Sequence, residues 1–371
     1  MKDGRVVVGL AGYGYWGPNI LRNYMECNEA LVKYVCDKDR SRALKAGARF
    51  PSVTLTEDFS DVIADREVDA VLVATPIATH YELTRRALAA GKHVFVEKPM
   101  TSSGKEAEML IALARERNLT LMVGHTFEYS PPVVKAKQLI DSGELGDIYY
   151  VSSSRVNLGL HQPDMSVIWD LAPHDFSILF HWLGEEATQI AAFGRSCVGN
   201  RVPDVAFVNL TFESGAVAQV QLSWLSPIKL RRTIVVGSRK MLMYDDTEAV
   251  EKVKVFDHGV STPQPNSFGE FQLSYRTGDI VSPHLENSEP LQIEAKHFLD
   301  CVANGRRPQT DGLCGLRVVR ALERAEASLK QNSYYVGSAV PVHDLAALQP
   351  GLGYGFAPAF YELHGKQPRH S

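Results

Sequence analysis

Lys98, Asp170 and His174 are the residues of this chain whose types and settings suit proton chemistry at a hydroxyl group. Lys98 stands in Glu97-Lys98-Pro99, where an apolar run ends and a proline turns the chain. A lysine at such an edge can hydrogen-bond a substrate oxygen and stabilise the negative charge that develops on it. Asp170 and His174 are four residues apart in Trp169-Asp170-Leu171-Ala172-Pro173-His174-Asp175, so on a helix they share one face and the carboxylate can orient the imidazole. With an ordinary pKa of about 6.5, the imidazole can take an alcohol proton near neutrality and return it in the reverse direction. Pro173 is tolerated in a helix's first turn, which predicts a helix from about residue 170 to 183 with the pair at its start.

The element that must place Lys98 begins with a glycine turn. Residues 6–11 form an apolar run that leads into Gly12-Tyr13-Gly14-Tyr15-Trp16-Gly17, a G-x-G-x-x-G where a first strand turns into a first helix. Gly12 permits the tight turn, Gly14 lets the backbone approach a pyrophosphate, and Gly17 lets the helix pack on the sheet. The helix N-terminus then offers free N–H groups to the phosphates. Tyr15 and Trp16 are expected to wall this turn beside the substrate cleft. Asp37 closes the second apolar run about twenty residues on, where a ribose-binding carboxylate is expected. It favours NAD by repelling a 2'-phosphate, while Lys38 and Arg40 keep NADP open. Thr75, Pro76 and His80 at one strand end, Glu97 and Lys98 at the next, and His125 at the last complete the expected cofactor-binding set.

Apolar runs at 6–11, 31–36, 53–55, 70–75, 93–97 and 120–124 alternate with helical patterns such as 81–90 and 103–117. Continuous apolar strands separated by amphipathic helices specify a parallel sheet covered on both faces, with ligands beyond the carboxyl ends of its strands. After Gly146 the rhythm changes to strands at 148–156, 189–194, 205–212, 217–224, 231–237 and 241–245, as in an antiparallel meander. Helices at 291–303 and 313–329 are expected to close this second core, with an edge strand at 339–342. The fold class is therefore α/β: a doubly wound parallel sheet, then an α/β domain with an open-faced, mostly antiparallel sheet. Domain boundaries are expected at 1–126, 127–345 and a tail, 346–371.

With 371 residues, two domains are the natural expectation. A net charge of −4 gives no basic surface for nucleic acid or anionic membrane. The sequence predicts no signal peptide and no membrane-spanning apolar run, and the five scattered cysteines read as reduced thiols of a cytoplasmic protein. His161, His174 and His181 are too widely spaced to suggest a metal site.

The glycine turn, Ala74-Thr75-Pro76 with His80, Glu97-Lys98-Pro99, and Asp170 with His174 together resemble the Gfo/Idh/MocA oxidoreductases, from about residue 6 to 329. The resemblance implies that Lys98 and His174 touch the reacting hydroxyl, that Asp170 supports them, and that the open sheet builds homodimers or homotetramers. His125-Thr126-Phe127-Glu128-Tyr129-Ser130-Pro131 stands where many polyol-oxidising members carry an arginine. This segment, with Arg276-Thr277-Gly278-Asp279-Ile280 and Thr310-Asp311-Gly312, is similar to members acting at C3 of nucleotide-linked hexoses. Tyr129, Arg155, Trp169 and Arg276 join Lys98, Asp170 and His174 as candidates for substrate contact, with Arg155, Arg276 and Lys229 as possible partners of a sugar diphosphate. A polyol, inositol or free-sugar dehydrogenase remains open, as does a glycoside hydrolase that retains NAD, or a binding module without chemistry.

Overall fold

Six short strands form the first sheet. In the computed structural model they are β1 (Val6–Ala11), β2 (Ala30–Cys36), β3 (Thr54–Thr56), β4 (Ala70–Val73), β5 (His93–Glu97) and β6 (Leu121–Gly124), of which β1 and β4 consist entirely of buried residues. All pair in parallel, in the order β3-β2-β1-β4-β5-β6. The order reverses between β1 and β4, so the crevice for a ligand opens between their carboxyl ends. The structure describes residues 1–161, 165–198, 202–261 and 274–332. The expected strand at 339–342 and tail at 346–371 lie outside the described residues.

Alternate side chains of β1 enter different cores. Val6, Val8 and Leu10 pack with α1 (Gly17–Glu26), while Val7 and Ala11 pack with α4 (Ile77–Ala89) and α5 (Gly104–Glu116). Helices α2 (Arg40–Arg49) and α3 (Phe59–Ala64) complete the connections around β2 and β3, and both begin with an aspartate side chain accepting the second helical N–H.

After α6 (Pro131–Asp141), β7 (Ile148–Val156) enters the second sheet. Helix α7 (Val167–Leu183) follows, then β8 (Ala187–Arg195), β9 (Val205–Phe212), β10 (Val217–Ser223), β11 (Leu230–Gly237), β12 (Met241–Asp245), β13 (Val253–Ser261) and β14 (Ser274–Val281). Their order is β14-β13-β12-β11-β7-β10-β9-β8. The expected continuous meander is thus divided: β7 lies between β10 and β11, parallel to the first and antiparallel to the second. Helices α7 and α9 (Gly312–Asn332) cover one face with a core that includes Phe176, Trp182, Leu322 and Leu329. On the other face Tyr150, Phe207, Val217 and Ile234 are exposed.

Two expectations about helices are corrected. Helix α8 (Pro290–Asn304) does not close the second core: Leu291, Ala295, Phe298 and Leu299 pack on the first sheet, where Phe298 meets Tyr24 and Phe95 edge to face. Helix α9 reaches both layers, with Leu316 and Val319 in the core of the first sheet and Val318 and Leu322 in that of the second. Helix α7 starts at Val167, so Pro173 lies inside it rather than in its first turn. A proline there has no N–H for the carbonyl four residues back and costs about 3 kcal/mol in an ordinary helix interior. The surrounding burial of Val167, Ile168, Ala172 and Phe176 holds the helix together across that gap.

Candidate active site

The turn after β1 is fixed by its own crowding. Gly12 has φ +98°, and a Cβ there would stand 2.4 Å from the carbonyl oxygen of Ala74, so only glycine lets the turn lie against β4. A Cβ on Gly17 would stand 2.4 Å from the carbonyl oxygen of Gly12, which presses the start of α1 onto the same turn. Gly14 instead faces open space, its prospective Cβ 3.6 Å from Arg42 Nη1. Helix α1 has no side-chain cap, so its first N–H groups are available to an anion. The carboxylate of Asp37 is held by two backbone donors: Tyr13 N–H at 2.7 Å and Asp39 N–H at 2.8 Å. Together these groups line a cleft of about 800 Å³ that also includes Tyr15, Trp16, Thr75 and Pro76, with Lys38, Arg42 and Arg86 on its walls. Tyr15 is almost wholly exposed at its rim. An uncapped helix start, a backbone open at Gly14 and a fixed carboxylate fit a dinucleotide's pyrophosphate and ribose.

His80 does not face that cleft. Its ring is buried, with Nδ1 2.8 Å from the carbonyl oxygen of Pro99 and Nε2 2.7 Å from that of Thr75. It therefore ties the turn after β4 to the cis Lys98-Pro99 peptide, acting on the cleft through the backbone. Burial pulls its pKa below the usual value, while the two carbonyls pull it back. Glu97 is buried beside Lys98; Oε2 accepts the Lys98 N–H at 3.2 Å, and burial pushes its pKa up to about 7. Its Oε1 and both ring nitrogens of His125 have no hydrogen-bond partner among the described residues. Burial, then the charges of Lys98 and Arg317, push the His125 pKa down to about 3, so this imidazole is neutral.

Helix α7 of the second layer meets the end of β5 at Lys98, whose Nζ donates to the carbonyl of Asp170 at 3.3 Å. Burial lowers the Lys98 pKa, with Asp170 and Glu97 opposing. The Asp170 carboxylate does not orient His174, as its spacing led one to expect; Oδ2 accepts the Trp224 indole N–H at 2.9 Å. Asp170 thus supports Lys98 by charge and by its carbonyl. His174 is positioned by Phe127, whose ring meets it edge to face at 5.0 Å. Burial, then Lys98, Arg155 and Arg231, hold its pKa well below 6.5, so this imidazole is neutral.

Arg155 is a buried, paired cation. Its Nε donates to Asp175 Oδ2 at 2.6 Å, and its guanidinium lies 4.8 Å from the centre of the Phe127 ring. Ser153 Oγ donates to the other Asp175 oxygen at 2.7 Å. Arg155 therefore supports Phe127, and through it His174. Phe127, Asp175, Trp224 and Arg231 were not singled out in the sequence. The pairing of β11 with β7, which puts Arg231 opposite Arg155, is the signal that sequence spacing alone does not carry.

Three candidates for substrate contact lie elsewhere. Tyr129 is buried, its hydroxyl 3.1 Å from Thr310 Oγ1 and its ring against His297, so it braces the turn after β6. Trp169 lines a separate groove with Ile77, Ser166 and Glu323. Arg276 is on edge strand β14, paired with Asp257 at 2.9 Å and four strand steps from β7. At ~4.8 Å per step that is roughly 19 Å, too far to share a small substrate centre with Arg155. Lys229 is exposed just before β11. Among the described residues no group of three or more His, Cys, Asp or Glu side chains could hold a metal ion.

These two layers define a class. Residues 6–125 match the oxidoreductase family with an NAD-binding Rossmann fold, and residues 133–243 match the GFO/IDH/MocA C-terminal domain. The chain belongs to the GFO/IDH/MocA oxidoreductase family. It is similar to the UDP-N-acetylglucosamine 3-dehydrogenase of Acidithiobacillus ferrooxidans, with 28% identity over 84% of this chain and 94% of that one. A solved structure of that enzyme superposes with a TM-score of 0.73 over 88% of this chain and 98% of that one, at 25% identity. The scyllo-inositol 2-dehydrogenase (NAD(+)) of Bacillus subtilis is 27% identical over 81% of this chain and 86% of its own. GenD2 from gentamicin A biosynthesis, solved in complex with NAD, gives a TM-score of 0.74 at 25% identity over 89% of this chain and 95% of that one.

Proposed function

We propose that this protein is an NAD-dependent sugar dehydrogenase or ketoreductase acting at a ring CH–OH, at C3 of a nucleotide-linked hexose. The observation that carries the reading is the meeting of Lys98 with α7 beside the dinucleotide cleft, which puts a lysine donor near a neutral histidine. The nicotinamide ring supplies the acceptor or donor of the hydride when the dinucleotide is bound. His174 takes the hydroxyl proton as the C–H bond breaks and returns it when a ketone is reduced. Lys98 hydrogen-bonds the same oxygen and stabilises its developing charge. Asp170, through its carbonyl and its charge, keeps Lys98 at that position and favours its protonated form. Asp37, fixed by two backbone donors, favours the unphosphorylated ribose of NAD.

The similarity to the UDP-N-acetylglucosamine 3-dehydrogenase supports a nucleotide-linked substrate, and the Thr126-Phe127-Glu128-Tyr129 segment agrees with it. The exposed apolar face of the second sheet, with Tyr150, Phe207, Val217 and Ile234, supports pairing of two copies through that face. The five unpaired cysteines agree with a reducing, cytoplasmic setting. NADH formation by the purified protein against UDP- and dTDP-sugars, free hexoses and inositols tests the activity. Turnover with a nucleotide sugar supports the full reading; turnover only with inositols or free hexoses overturns the substrate assignment. Sedimentation of a single-copy species at micromolar concentration overturns the pairing.

A further inference from the structure

Arg231 and Arg155 stand directly opposite each other on β11 and β7. Cross-strand partners share a face, with Cβ atoms about 5 Å apart, and like charges in such positions destabilise a sheet. Here the face is the one that α7 covers, because Arg155 reaches Asp175 on that helix. Packing alone gives no reason for two adjacent arginines where β7 and β11 otherwise place Ser153 beside Thr233 and Val151 beside Val235.

The two guanidinium groups differ in how they are occupied. Arg155 is buried and locked to Asp175. Arg231 is more than a third exposed and is held only through Nη1, 3.2 Å from Asp246 Oδ2. Its Nε and Nη2 take no partner among the described residues. Asp246 also faces Lys252 Nζ at 3.6 Å, so it keeps a cation if Arg231 turns away. Arg155, directly opposite, lies 4.8 Å from the centre of the Phe127 ring, and that ring meets His174 at 5.0 Å, so Arg231 stands on the face of the sheet that carries Lys98's partner helix and His174. Two parallel N–H donors on a planar fork match the two oxygens of a carboxylate or phosphate.

We propose that Arg231 binds an anionic oxygen group, a carboxylate or a phosphate, carried by the same sugar whose hydroxyl Lys98 and His174 address. The inference rests on the hydride-transfer reading above and names the residue that would meet an anionic group of its substrate. The group can come from a ring C6 carboxylate or from a phosphate on C1. Matched pairs separate the sources: glucuronate against glucose, glucose 1-phosphate against methyl glucoside, and UDP-glucuronate against UDP-glucose.

The test measures kcat/KM at saturating NAD for each sugar with the full chain and with Arg231→Gln and Arg231→Lys. The expected result is a preference for the charged member of at least one pair. Arg231→Gln lowers that preference by on the order of 10- to 100-fold, the scale of a charge-assisted hydrogen bond, and Arg231→Lys restores part of it. If Arg231→Gln slows charged and neutral sugars by the same factor, the inference is overturned. If the unaltered chain oxidises both members of every pair equally well, the inference also falls while hydride transfer stands. If it oxidises no sugar of either kind, the hydride-transfer reading fails first, and this inference with it.

Discussion

Lys98 Nζ and the carbonyl oxygen of Asp170 lie 3.3 Å apart, joining the end of β5 in the first sheet to α7 in the second layer. That contact brings the proposed donor of one layer to the helix that carries the proposed base, His174. Replacing Lys98 by Met keeps the length of the side chain and removes its charge. The expected loss is roughly 3 to 4 kcal/mol of transition-state stabilisation, a fall in kcat of on the order of 100- to 1000-fold, with NADH binding retained. Steady-state rates alongside NADH titration check this; a variant with unaltered kcat would falsify the role of Lys98.

Asp37 accepts from Tyr13 N–H and Asp39 N–H, so its carboxylate is fixed before any ribose arrives. Asp37→Ser removes the charge that repels a 2'-phosphate, and Lys38 and Arg42 on the same wall then face it. The ratio of kcat/KM for NAD to that for NADP is expected to fall by at least about 10-fold, the measure of a 1.4 kcal/mol change. An unchanged ratio places the ribose elsewhere.

The Arg155–Asp175 pair is buried at both ends. Asp175→Asn strands the guanidinium, and breaking such a pair costs about 3 to 5 kcal/mol. Chemical denaturation is expected to show that loss, and His174 is expected to become less well placed as Phe127 loses its support. An Asp175→Asn protein with the stability of the parent removes the pair from the account of the fold.

Glu128 is buried against Cys314, which donates to it at 3.4 Å, and burial pushes its pKa up to about 7. The folded chain therefore holds a proton that the unfolded chain releases above its ordinary pKa of 4.5. Its contribution is present below pH 4.5 and is lost as pH rises through about 7, by about 3 kcal/mol at 1.36 kcal/mol per unit. His181, 3.5 Å from Glu128, acts in the other direction. Burial pushes its pKa down to about 4, so its contribution is present above pH 6.5 and lost as pH falls through 4. Glu128→Gln is expected to gain stability relative to the parent between pH 5 and 8. Melting temperatures across that range test it, since parallel curves for the two proteins contradict a buried titrating Glu128.

The first sheet is legible in the sequence because its central strands β1 and β4 are wholly buried and read as unbroken apolar runs; β1 and β5 start and end at the expected residues. The second sheet is less so. Strand β14 is exposed along its whole length, and Ser274-Tyr275-Arg276-Thr277-Gly278-Asp279-Ile280-Val281 has no apolar alternation to announce it. The insertion of β7 between β10 and β11 depends on pairing across about seventy residues, which local pattern does not encode. Lys98 could be found because it sits at a recognisable strand end, and His174 because it stands in a short polar cluster with Asp170, although α7 places it mid-helix rather than at the helix start. Trp224 and Arg231 could not, since each matters only through what a distant segment sets against it. Asp170 shows the limit of spacing: four residues along a helix put it near His174, but the Trp224 indole takes its carboxylate.

Phe298, seated between Tyr24 and Phe95, makes the nucleotide-binding half dependent on residues from the far end of the chain. A fragment cut after β6 would leave those two rings and much of the β1 face uncovered by α8. The two layers are therefore not interchangeable cassettes. A chimera that exchanges the second layer for another must leave residues 290–332 matched to the first sheet, because that seam joins the two.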